Sequence, residues 1–126
     1  MKRLDLLGVL FWVVGALYVA GALVVAVVGT LGGLGILDPS DALEERVGGA
    51  VGAAVIGLGL GALGGGHAVA GTGLRGRRPW ARTAGLVVGV LDILCCCHAP
   101  LGTALGIFAL VVLLSDEVVR LFPAQR

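Results

Sequence analysis

The stretch LLGVLFWVVGALYVAGALVVAVV, residues 6–28, carries no charged side chain. A helix needs about 20 apolar residues to cross a hydrocarbon core of about 30 Å, so this run reads as a membrane span. A helix also bonds its own backbone groups, which is the condition lipid imposes on a crossing segment. Lys2 and Arg3 precede the run, as they would in a secretory signal. A signal core is about 7–15 residues long, however, and the run exceeds that. The Ala20-Gly21-Ala22 triplet, similar to a cleavage site, lies inside it. An uncleaved first helix is the preferred reading.

The remaining chain repeats the pattern. Of 126 residues, 58% are hydrophobic and 13% are charged, where soluble domains carry about 25% charge. Mean hydropathy is +1.05. The predicted spans are residues 6–28, 47–70, 83–97 and 101–114, followed by a tail over 115–126. Between the first two, a glycine-rich GTLGGLGIL leads into DPSDALEER, where Ser40 or Asp41 is placed to cap a short helix, Glu44 standing three residues after Asp41. The expectation is one all-α domain over 1–126, an integral membrane four-helix bundle. It leaves no room for a soluble catalytic domain, so enzymatic activity is not expected. A net charge of +1 gives no steering toward nucleic acid.

Basic residues set orientation, because cytoplasmic loops are enriched in Lys and Arg. Four spans put both termini on one side, together with Lys2, Arg3, Arg75, Arg77, Arg78, Arg82, Arg120 and Arg126. The opposite side holds Arg46 among Asp38, Asp41, Glu44 and Glu45. Both termini and the arginine connector are therefore expected in the cytoplasm. One lysine against eight arginines suits a GC-rich bacterium, and the location expected is its inner membrane. Arg75, Arg77, Arg78 and Arg82 read as topology determinants that also attract anionic lipid headgroups. Trp80 fits an interfacial position, and Trp12 a lipid- or bundle-facing one.

In lipid, helices associate through close van der Waals contact, which small residues permit. The second span carries Gly49, Ala53, Gly57, Gly61 and Gly65 at spacing four. An offset set, Gly48, Gly52, Gly59, Gly64 and Gly66, reflects either composition or a second contact face, including a homo-oligomer contact. Gly85 and Gly89 in the third span, and Gly102 and Gly106 in the fourth, supply further small positions.

Asp92 is the most informative residue. It lies ten residues past Arg82, about 15 Å along a helix and near mid-bilayer, where ionisable side chains face the interior with a partner. Tyr18, at nearly the same height by the same count, is the expected partner. A proton or cation relay is one reading and a single buried hydrogen bond the other; no second acid or base evident in the sequence continues a path, which favours the second. His67, within GGGHAVAG, reads either as a pH-sensitive residue or as a polar residue near the inner interface bonded to a carbonyl. Asp92, Cys95 and Cys96 share a helical face at i, i+3 and i+4, with His98 beyond the helix end. Adjacent thiols suit no common zinc site, whereas copper(I) tolerates fewer thiolates. Thiol redox chemistry is a further reading, although adjacent cysteines close only a strained ring. The simplest reading is that the three cysteines pack as small hydrophobes. No cofactor is expected, copper or zinc at Cys95, Cys96 and His98 being the alternative.

The combination of RRPWAR (Arg77, Arg78, Pro79, Trp80, Ala81, Arg82) with PLGTALGI (Pro100, Gly102, Thr103, Ala104, Leu105, Gly106, Ile107) and the DEVVRLF ending resembles a widespread set of small bacterial tetraspan membrane proteins. The resemblance covers roughly the C-terminal half. It implies a four-span topology and no particular activity. Two departures stand out: Val111 or Val112 occupies a place where an aromatic, often Trp, is usual, and the Cys-Cys-Cys-His run before Pro100 is not usual. The function expected is a non-enzymatic accessory or interaction role in the lipid bilayer, as a homo-oligomer or within a larger membrane complex. The alternatives are an ion- or proton-conducting oligomer using Asp92, and a metal or thiol-redox protein using Cys95, Cys96 and His98.

Overall fold

The computed structural model describes residues 2–94 and 99–122. Its helices are α1 (Lys2–Gly33), α2 (Leu43–Arg75), α3 (Pro79–Leu94), α4 (Ala99–Leu114) and the single turn α5 (Asp116–Val119). No strand occurs among the described residues, and the all-α expectation holds. Two helices, α1 and α2, are long and apolar enough to cross a membrane, by length and composition.

Both run past the predicted limits of 6–28 and 47–70. The glycine-rich segment after Val28 stays helical through Gly33. The short capped helix expected in DPSDALEER does not form separately; α2 itself begins at Leu43. Glu44 and Glu45 then occupy its first turn and Arg75 its last, each charge opposing the local end of the helix dipole. α3 starts at Pro79, four residues before the predicted Thr83, because proline is favoured in the first turn, where its missing N–H is not needed.

The described residues group into two compact units, 16–65 in one, and 1–15 with 66–126 in the other. In the first, the C-terminal part of α1 packs on the N-terminal part of α2. A Cβ on Gly29 would collide with the Cβ of Ala53, and one on Gly33 would lie 3.0 Å from that of Ala50. The connecting loop turns at Gly35, whose φ is +71°. Asp38 Oδ1 then accepts hydrogen bonds from the Ser40 amide at 2.9 Å and the Ser40 hydroxyl at 2.5 Å. These bonds, the hydroxyl's first, hold the Asp38 carboxyl below its ordinary range, with a further contribution from the Arg46 charge. Arg46 Nη2 donates to the Pro39 carbonyl.

The other unit has a shared core drawn from Leu4, Leu7 and Phe11 of α1, Ala70 and Leu74 of α2, Ala81 of α3, and Leu105, Ala109 and Leu113 of α4. Gly85 of α3 marks the point of convergence: a Cβ there would stand 2.8 Å from Leu113, 3.5 Å from Leu74 and 3.7 Å from Phe11. α2 ends in a Schellman arrangement. The Arg78 amide donates to the Gly73 carbonyl at 3.0 Å and the Arg77 amide to the Leu74 carbonyl at 3.1 Å. The left-handed position falls on Arg77, with φ of 49°, although Gly76 stands one residue earlier. α4 stops at Ser115, whose extended backbone, ψ 139°, interrupts the helix before α5.

Candidate functional site

Among the described residues, a histidine and an aspartate are buried, and they meet. His67 is fully buried and Asp92 is 2% exposed. His67 Nε2 lies 2.9 Å from Asp92 Oδ2. His67 belongs to α2 and Asp92 to α3, both within the unit that holds the core.

The sequence dictates this meeting through helix register. Gly73 lies against Ala81, and Gly66 against Val88, so the two helices run antiparallel with residue 67 level with about residue 87. Asp92 is five residues further along α3, about 7.5 Å by helical rise. Side chains lean toward the N-terminus of their own helix. In an antiparallel pair His67 therefore leans toward the level of Asp92, and Asp92 toward that of His67, which closes the gap.

The other helices complete the enclosure. The Phe11 ring of α1 stands edge-on to the imidazole, with centroids 5.3 Å apart and planes at 71°. On α4, Gly106 passes so near that a Cβ there would lie 3.3 Å from the Asp92 Cβ and 2.8 Å from Ile93 Cγ1. Gly106 is one of the motif residues of PLGTALGI. Asp92 Oδ1 is buried and has no hydrogen-bond partner among the described residues.

The sequence-based expectation paired Asp92 with Tyr18. Tyr18 is buried but belongs to the other unit, and the partner given to Asp92 Oδ2 is His67. His67 was expected near the inner interface, bonded to a backbone carbonyl; the structure adds a carboxyl partner at its Nε2. The signal was present in the sequence. Counted from Arg75, His67 is eight residues or about 12 Å along its helix, close to the depth assigned to Asp92.

Other expected positions are distributed as follows. Ala53 and Gly57 face α1, the latter 3.5 Å from the Ala22 carbonyl for an added Cβ, whereas Gly49, Gly61 and Gly65 have open space around them. The stripe is thus in use over only part of its length. Two α2 glycines outside it are also closely approached: an added Cβ on Gly71 would lie 2.8 Å from the Gly8 carbonyl, and on Gly73 2.7 Å from Ala81. Arg75, Arg77 and Arg78 are exposed around the α2–α3 connector. Arg82 differs: its Nε donates to the Leu113 carbonyl at 3.0 Å, closing the C-terminal end of α4. Trp12 Nε1 donates to Thr72 Oγ1 at 3.1 Å. Cys95, Cys96 and His98 lie outside the described residues. Among the described ones no group of three or more His, Cys, Asp or Glu is placed to hold a metal.

No family model matches the chain, and neither does a curated protein or a solved structure.

Proposed function

We propose that the chain is a small non-enzymatic membrane protein of the bacterial inner membrane, an accessory or interaction component with four spans and both termini in the cytoplasm. The observation that carries this reading is the outward display of α1 and α2. Leu58 is 75% exposed, Val55 66% and Leu17 65%. Only 17% of the most apolar window of α1 and 6% of that of α2 is buried, whereas the core helix of a soluble protein would be largely covered. Exposed apolar surface on this scale calls for lipid or a partner helix. α3 and α4, with 16 residues each, are about 24 Å long. A thinned bilayer or flanking arginines accommodate such a shortfall at modest cost. The resemblance of the C-terminal half to small tetraspan proteins supports the same topology.

The open glycines of α2 suit self-association, since small residues let a second helix approach closely. In this reading Gly61→Leu lowers the oligomeric fraction in detergent and leaves the unfolding of the single chain unchanged.

The topology is tested by single-cysteine labelling in a background whose native cysteines are replaced by alanine. Arg77→Cys should react with an impermeant thiol reagent only after the inner face is opened, and Asp38→Cys from outside intact cells. Reaction of Arg77→Cys on intact cells, or a purified chain that stays dissolved without detergent, refutes the proposal.

A further inference from the structure

We propose that the groove between the C-terminal part of α1 and the N-terminal part of α2 holds one phosphatidylethanolamine molecule. An acyl chain lies in the groove, and the headgroup meets Asp41, Glu45 and Arg46. The proposal rests on the membrane reading above and deepens it by naming a lipid class.

The first support is the shape. The groove has a volume of about 530 Å³ and lies wholly within the unit of 16–65. Val24 and Val28 of α1 and Ala53 and Ile56 of α2 line it, with Gly49 and Gly52 on the same stretch of α2. Either glycine would accept a Cβ into open space, so their missing side chains leave room for an occupant. Arg46 and Ile56 are ten residues apart in α2, about 15 Å by helical rise. One leaflet supplies half of a hydrocarbon core of about 30 Å, which matches that length.

The second support is the placement of charge. The helices run antiparallel, Gly33 lying against Ala50 and Gly29 against Ala53. The charged lining residues all stand at one end, Asp41 in the loop and Glu45 and Arg46 at the start of α2. Val24 and Ile56 lie at the other end. A charged rim above an apolar slot suits an amphiphile lying lengthwise with its head at the rim. A second copy of this chain fits less well. In the same orientation it brings its own Asp38, Asp41, Glu44 and Glu45, against one Arg46, to this end, and like charges brought together oppose association.

The third support is that the rim carries both signs. A guanidinium has five N–H donors in a planar fork that matches phosphate. Arg46 Nη2 donates to the Pro39 carbonyl, and Nε has no hydrogen-bond partner among the described residues, so the fork has donors to spare for a phosphate. Asp41 and Glu45 are exposed carboxylates and suit an ammonium group with three N–H donors. A choline headgroup has no N–H to give them, and a glycerol headgroup brings no positive charge. The rim therefore selects the ethanolamine headgroup.

The test is native mass spectrometry of the full chain in detergent, titrated in turn with dioleoyl phosphatidylethanolamine, phosphatidylcholine and phosphatidylglycerol. The first phosphatidylethanolamine should bind about tenfold more tightly than either other lipid, the return of one charge-assisted hydrogen bond. That preference should disappear in the double variant Asp41→Asn with Glu45→Gln. Gly52→Leu fills the slot about 9 Å further along α2 than Arg46; it should abolish the preference while helix content, read by circular dichroism, is unchanged. Equal binding of the three lipids, tighter phosphatidylglycerol, or a preference that survives in the double variant overturns the proposal. So does a dimer that forms without lipid and is lost in Gly52→Leu, which gives the groove to a second copy. A chain that needs detergent yet shows no preference sinks the lipid site alone. A chain that stays dissolved without detergent refutes the membrane reading, and the lipid site with it.

Discussion

The two units of the chain use the glycines of α2 in different ways. In the unit of 1–15 and 66–126, glycines mark where helices touch: an added Cβ on Gly8, Gly71, Gly73 or Gly85 would come within 2.8 Å of another residue's atoms, and on Gly89 within 3.2 Å. In the unit of 16–65, Gly29 and Gly33 of α1 mark contacts in the same way, whereas Gly48, Gly49, Gly52, Gly59 and Gly61 of α2 would each accept a Cβ into open space. Composition alone would treat both sets alike. The first set fixes interhelical distance around the buried His67–Asp92 contact; the second leaves a bare helix face for lipid or another helix. The largest energetic sensitivity should therefore lie in the first unit, and the sensitivity to association in the second.

The strongest way to break this contrast is at the buried His67–Asp92 pair. Asp92→Ala takes the carboxyl away from His67 Nε2, and leaving a buried polar group short of a hydrogen bond costs about 1–3 kcal/mol. The double variant His67→Leu with Asp92→Leu removes the uncompensated groups together and should recover most of that loss. Reversible unfolding in mixed micelles measures both. If Asp92→Ala costs no more than an exposed substitution, the pair does not organise the unit.

The next test compares glycines directly. Gly106→Val forces a side chain against the Gly89 carbonyl, Ile93 and Asp92. Overpacking of this sort costs about 1–3 kcal/mol or more. A Cβ added at Gly61 meets nothing within 4 Å among the described residues, so the unfolding free energy of Gly61→Leu should stay within about 0.5 kcal/mol of wild type. Equal losses in the two variants would dissolve the distinction between the units.

Much of this was legible beforehand. Periodicity and length gave the helices, and the isolated acid at Asp92 identified the buried polar centre. What the sequence concealed was its partner. Depth counted along each helix brings His67 and Tyr18 both near Asp92, and choosing between them needs the rotation of α2 and the lean of its side chains. The glycine stripe was legible only as a spacing. Spacing four shows that a face is smooth, and it does not show what lies opposite; off the stripe, Gly71 is approached by Gly8 of α1 and Gly73 by Ala81 of α3, the latter beside the turn at Gly76–Arg78. Arg82 likewise has the composition of a topology signal and the position of a helix-end donor.

Arg82 gives the third test. Its Nε–H bonds the Leu113 carbonyl near the C-terminal end of α4, where a positive charge also opposes the helix dipole. Arg82→Met keeps the apolar stem and loses the donor. The expected loss is about 1 kcal/mol, with earlier hydrogen exchange in the last turn of α4. If that turn is as protected as in the wild type, Arg82 acts on topology alone.

The smallest effect belongs to the loop of the open unit and concerns pH. Asp38 is held below its ordinary value of 3.8 by the Ser40 hydroxyl and amide bonds, with a lesser contribution from Arg46. A carboxyl lowered in the folded state stabilises it above the unfolded value and loses that effect as pH falls through the folded value. The loop should therefore hold its turn at neutral pH and begin to loosen only below the ordinary carboxylate range. Asp38 is fully exposed, so solvent screens the interaction and the change stays local. Asn at this position retains an acceptor oxygen for Ser40 but cannot titrate. The Ser40 amide resonance should shift on acidification in the wild type and stay fixed in Asp38→Asn. A loop that loosens equally in both would show that its order comes from Gly35 and the Arg46–Pro39 bond, with the carboxyl a bystander.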